Sequence, residues 1–164
     1  MPLAVIEQSY EDRAGLQLAF ARALILVGRK WPRRFSEQME GAGHTYARWR
    51  TLFWISQTGD GISQRRLADM LGVEEPTLVR LLDALQKQGM IERRPHPTDR
   101  RVNLIFLTPE AQPVLSAGNA LAEEIRDDLL DGVPSEDLAA ALRVLTAVGR
   151  RIEDWQAEAA LQRK

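Results

Sequence analysis

The sequence predicts a mainly α-helical protein with one small β-ribbon, and three observations lead there. Apolar residues recur at steps of three and four through most of the 164 residues, the period of a helix with one buried face. Between Met90 and Thr108 that period gives way to two short runs rich in β-branched and apolar residues, parted by a loop with two prolines. Glycines and prolines stand where helices should stop and start. With no low-complexity segment, residues 1–164 are expected to form one domain, long enough to bury a core.

Residues 11–39 open with a helical stripe of Leu16, Phe20, Ala23, Val27, Trp31 and Phe35. Pro32 lies inside it, removes a backbone hydrogen bond, and predicts a bend or a break near Arg29 to Trp31. Gly41, Ala42 and Gly43 read as loop. A second helix is expected over residues 45–57, with Tyr46, Trp49, Leu52, Phe53 and Ser56 crowding one side. Residues 58–61 close it, and Ile62 is placed to add one short strand.

Ser63 precedes a run with Leu67, Ala68 and Leu71 on one face, and Gly72 supplies the left-handed residue that ends a helix. Pro76 begins the next helix, where a missing N–H costs nothing. Leu78, Leu81, Leu82 and Leu85 turn inward, Thr77, Arg80, Asp83, Ala84 and Lys87 outward, and Gly89 ends the run. Two short helices joined by a tight glycine turn frame a helix-turn-helix, whose second helix enters a DNA major groove. Residues 90–94 and 101–108 read as strands around a loop that Pro95 and Pro97 bar from regular structure. A helix-turn-helix followed by a basic hairpin is a winged helix, here residues 45–108.

Thr108 is expected as N-cap and Pro109 as first residue of a helix to about residue 130, with Val114, Leu121, Ile125 and Leu129 along one side. Residues 131–134 break the chain, and Ser135 starts the last helix. Leu138, Leu142, Leu145, Val148, Ile152, Trp155 and Ala159 there make a stripe close to a heptad. Such a stripe is too long to bury against a small winged helix. Residues 11–39 and 109–160 therefore read as a dimerisation region, with Leu16, Phe20, Leu138, Leu142, Leu145, Ile152 and Trp155 at the interface. The alternative is that both helices cover one core within a monomer.

The stretch LVRLLDALQKQGMIERRPHPTDRRVNLIFLTPEA resembles the core of the MarR family of transcription regulators, and the EEPTLVR and TDRR…LT pieces stand closest to its SlyA-like branch. The resemblance is motif-specific from about Gln64 to Ala111. It implies a homodimeric DNA-binding regulator whose terminal helices interleave across a two-fold axis. The expected activity is that of a repressor on an inverted-repeat operator, released by a small aromatic or anionic effector.

Charge is distributed as one DNA-facing side requires. Residues 1–62 carry +2, residues 63–89 balance, residues 90–108 carry +2, and residues 109–164 carry −5. Cysteine is absent, which excludes disulfides and the thiol-based peroxide sensing of some MarR relatives. No apolar run approaches the roughly 20 residues of a membrane span, and the N-terminus lacks the pattern of a secretion signal, so a cytoplasmic protein is expected. Nothing points to an enzyme, a cofactor or a metal. The two histidines, His44 and His96, have no paired ligand spacing, and no Gly-rich phosphate loop occurs.

The expected DNA contacts follow from position. Ser63 and Gln64 can offer polar groups and backbone N–H to a phosphate, while Ser63 can equally be a plain helix cap. Pro76, Thr77 and Arg80 occupy the exposed start of the second helix. Arg80 there can grip a guanine edge or pair with Asp83 or Glu75. In the wing, Arg93, Arg94, Arg100 and Arg101 bracket the stiffened loop. The resemblance implies that Asp99 braces the wing while Arg100 or Arg101 enters an A·T-rich minor groove. Asp99 as a simple turn residue is the alternative. The effector is expected between the dimer helices and the winged helix. Trp31, Trp49 and Phe53 would supply flat surface there, and Arg48 or His44 the charge. A packed aromatic core is the bland reading of the same residues. A winged helix used only for protein–protein contact is the rival function.

Overall fold

The computed structural model describes residues 12–41, 45–59, 61–99 and 102–162. Its contacts gather into two compact units, one running to Ile125 and one starting at Arg126. The order is α1 (Arg13–Gly41), α2 (Tyr46–Ser56), β1 (Ile62–Ser63), α3 (Gln64–Leu71), α4 (Glu75–Lys87), β2 (Ile91–Pro95), β3 (Asn103–Leu107), α5 (Gln112–Leu130) and α6 (Ser135–Gln162). This is a mainly helical winged helix with a three-stranded antiparallel sheet, as the sequence predicted.

Local chemistry accounts for most boundaries. Ser63 caps α3, its hydroxyl oxygen accepting from Arg66 N–H at 3.4 Å, and Gly72 ends the helix at φ 61°. Pro76 stands in the first turn of α4, whose first residue is Glu75. The sheet runs β1-β3-β2, with Ile62 opposite Ile105, Arg93 opposite Ile105 and Pro95 opposite Asn103. The residue expected to add a short strand does so.

Several expectations need correction. The first helix is not broken at Pro32, for α1 runs through it. Proline costs a helix interior about 3 kcal/mol, and burial of Phe35 and Met39, one and two turns on, returns about 1.5–3 kcal/mol each. The second wing strand is described from Asn103, its expected start at residue 101 lying outside the described residues, and the first strand extends through Pro95. The segment after Thr108 starts as a 3₁₀ turn, Pro109–Ala111, before α5. Thr108 makes no side-chain cap, because its hydroxyl donates to the Gly89 carbonyl and so closes the base of the wing. On α5 the inward face is Leu115, Gly118, Ala122 and Ile125; Val114 and Leu121 are half-buried and Leu129 is exposed.

Two cores hold the first unit. Leu52, Ile55, Leu67, Leu71, Leu78, Leu82, Leu85, Ile91 and Ile105 pack the three winged-helix helices onto the sheet. Phe35, Met39, Trp49, Ala122 and Ile125 join α1, α2 and α5. In the second unit, none of the described side chains of α6 is buried.

Candidate nucleic-acid interface

The outward face of α4 is built by helical spacing. With Leu78, Leu82 and Leu85 buried, Pro76, Thr77, Arg80, Asp83, Ala84 and Lys87 are all exposed. Of the acids weighed as partners for Arg80, Asp83 is taken by Arg93 at 2.8 Å, and Arg80 has no ion-pair partner among the described residues. Glu74 and Glu75 stand at the α4 N-terminus, where the helix dipole favours negative charge. Glu74 makes no side-chain cap bond.

Beside this face lies an open cleft of about 350 Å³ between the start of α3 and the wing strands. Ser63, Gln64, Arg65, Arg93, Val102, Asn103 and Ile105 line it. Ser63 and Gln64, expected at the start of the first helix of the pair, line this cleft. Arg65 and Asn103 line the same cleft and were not among the residues singled out from the sequence. The signal for Arg65 was its place in the first turn of a capped helix, where side chain and free backbone donors point the same way.

The wing is a hairpin closed by His96 N–H to the Val102 carbonyl (2.9 Å) and Val102 N–H to the Asp99 carbonyl (3.0 Å). Thr98 leans on His96, its N–H 3.3 Å from the ring Nδ1. Arg94 is exposed, pairs with Glu92, and lies over the Phe106 ring, 4.6 Å from its centroid. Arg93 turns the other way, to Asp83 and Gln86 of α4. Arg100 and Arg101 lie outside the described residues.

The aromatic residues expected to hold an effector pack ring against ring in a row that runs through Phe35. Trp31 lies 6.0 Å from Phe35, Phe35 6.0 Å from Trp49, and Trp49 5.4 Å from Phe53, as ring centroids. Trp49 donates its indole N–H to Asn119 Oδ1 at 3.0 Å. Arg48 points a guanidinium nitrogen at the Met90 sulfur, 3.0 Å away, and its buried Nε has no partner among the described residues. His44 lies outside the described residues. Leu16, Phe20, Leu142, Leu145, Ile152 and Trp155 are exposed, and Leu138 is half-buried.

The chain is similar to known proteins in sequence and in fold. A family model described as MarR family matches residues 44–102. The solved transcriptional regulator PA3341 is 34% identical, covers 82% of this chain and 98% of its own, and superposes with a TM-score of 0.74. Apo MarR from E. coli is 26% identical over 78% of this chain and 94% of its own, TM-score 0.64. A cysteine-to-serine mutant of that MarR, solved with operator DNA, is 24% identical over 84% and 99%, TM-score 0.66, and shows the shared fold. On the match of its winged helix and its likeness to PA3341 along nearly the whole of that chain, this protein belongs to the MarR family of transcriptional regulators.

Proposed function

We propose that the chain, acting as one functional domain of the SlyA-like branch, binds DNA in a sequence-specific way as a homodimeric cytoplasmic repressor. Its target is an inverted repeat whose halves lie about 10 base pairs apart, one helical turn. The observation that carries this reading is the exposed α4 face, on which Arg80 stands beside Pro76 and Thr77 with no acidic partner among the described residues. An arginine so placed reads guanine by two hydrogen bonds, worth about 1–3 kcal/mol against the wrong base. Ser63, Gln64 and Arg65 bind phosphate at the start of α3, and Arg94 binds it from the outer side of the wing. Asp99 braces the wing tip while Arg100 or Arg101 enters the minor groove. The operator complex of the E. coli MarR mutant supports DNA as partner.

Release follows from a small aromatic acid bound against Trp31, Trp49 and Phe53. Arg48 supplies the charge through its buried Nε, which has no partner among the described residues, and His44 is the second candidate for that role. Selection from a random DNA pool tests the whole scheme. The wild-type chain should enrich a palindrome. Arg80→Ala should relax one position in each half-site, and Arg100→Ala and Arg101→Ala should lose flanking A·T preference. Adding benzoate should release the selected duplex from wild type but not from Arg48→Gln. Absence of any enriched sequence, with weak binding independent of salt, would leave a protein-interaction module instead.

A further inference from the structure

We infer that Arg93 is a positioning residue that latches the wing to α4 and sets the angle between the two elements that meet DNA. The inference rests on the DNA-binding reading above and adds to it. β2 alternates its faces, so Arg93 shares the side of buried Ile91, while Glu92 and Arg94 share the other with Phe106. The Arg93 stem thus runs along the edge of the core, and only the guanidinium emerges, at α4. Its side chain is 23% exposed against 59% for Arg94. Nη2 lies 2.8 Å from Asp83 Oδ1, and Nη1 donates to Gln86 Oε1.

These acceptors stand three residues apart at the edge of the α4 face that carries Arg80 and Lys87. Backbone bonds from Met90 N–H to the Leu85 carbonyl (3.0 Å) and from Thr108 N–H to the Met90 carbonyl (3.0 Å) tie wing to helix at its base. Arg93 adds a tie farther out along β2. A planar fork held at two points fixes direction as well as distance. A half-exposed pair of this kind adds little to global stability. Its consequence is geometric: the tip of a hairpin swings widely for a small turn at its base. The pair also neutralises Asp83, whose carboxylate would otherwise face phosphate.

The assignment has a sign that a phosphate-contact role for Arg93 does not share. Asp83→Asn removes a negative charge beside DNA, which by charge alone should tighten binding. The latch requires the opposite: Asp83→Asn should weaken binding to the selected operator about tenfold while leaving random duplex bound as well as before or better. Arg93→Gln should weaken the operator to a similar degree, and the double variant should cost no more than either single one. Exchange of the pair, Asp83→Arg with Arg93→Asp, should recover most of the loss. Melting temperatures should stay within about 4 °C of wild type.

The slope of log K against log salt should be unchanged in Arg93→Gln, whereas a lost phosphate contact lowers it by about 0.9 for each contact. Tighter or unchanged operator binding by Asp83→Asn, a reduced slope in Arg93→Gln, or equal loss on operator and random duplex would each overturn the latch. Failure of the wild-type chain to select any sequence is a separate result, and it would remove the DNA-binding reading and this inference with it.

Discussion

Gly118 decides how closely α5 meets α2. A Cβ at this position would overlap the Trp49 indole, which is buried and held by its bond to Asn119. Two effects oppose each other in Gly118→Ala. Alanine favours a helix interior by about 1 kcal/mol, while forcing a methyl into a packed site costs about 1–3 kcal/mol. Because the neighbour is a rigid ring packed between Phe35 and Phe53, overpacking should win, for a net loss of up to about 2 kcal/mol. The urea midpoint should fall with the slope of unfolding unchanged; a more stable variant would show that the ring can move aside. The adjacent arginines of the wing teach a related lesson. Arg93 and Arg94 read alike as part of a basic cluster, yet a strand sends neighbours to opposite faces. One meets α4 and the other stacks on Phe106.

Among the elements, the helix-turn-helix was the most legible, because each signal in it acts within four residues. Ser63, Gly72, Pro76 and the leucine spacing of α4 do in the structure what their chemistry requires. The wing was legible as two strands, but its limits depend on pairing with a partner strand. That is why Pro95, at the end of an edge strand, could join β2 opposite Asn103. The register gives the wing loop a test of its own. Replacing residues 97–101 with Asn-Gly should keep the sheet, since His96 and Val102, already joined by the His96 N–H bond to the Val102 carbonyl, form the pair that a two-residue turn closes. Stability should change little, while the salt slope for DNA binding falls by roughly 2 per subunit as Arg100 and Arg101 are lost. An unchanged slope would show that the wing tip does not meet phosphate or groove.

For the whole molecule the question is what covers its exposed apolar stripes. α6 has 28 residues and no buried side chain among those described, with Leu142 65% and Trp155 61% exposed. On α1, Leu16 and Ile25 are 55% and 62% exposed. Isolated helices are marginal in water, and contiguous apolar surface marks association. Two copies of the chain joined through these stripes satisfy both demands, in keeping with the prevalence of two-fold dimers. Sedimentation of the wild-type protein at micromolar concentration should give the mass of two chains, and Leu142→Asp with Trp155→Lys should give one. A wild-type monomer whose α6 stays helical would refute the proposed dimer.

By itself the sequence determined the fold class, the order of elements, the capped helix pair and the face of α4 that carries Arg80. Those features arise from periodicity and from hydrogen bonds that span a few residues. Tertiary structure alone decided that α1 continues through Pro32, that α5 packs by Gly118 rather than along the stripe of Val114 and Leu129, and that Arg93 turns to Asp83. Each of these depends on which surface a distant segment brings into contact, and the energy of such a contact is written in no local stretch of chain.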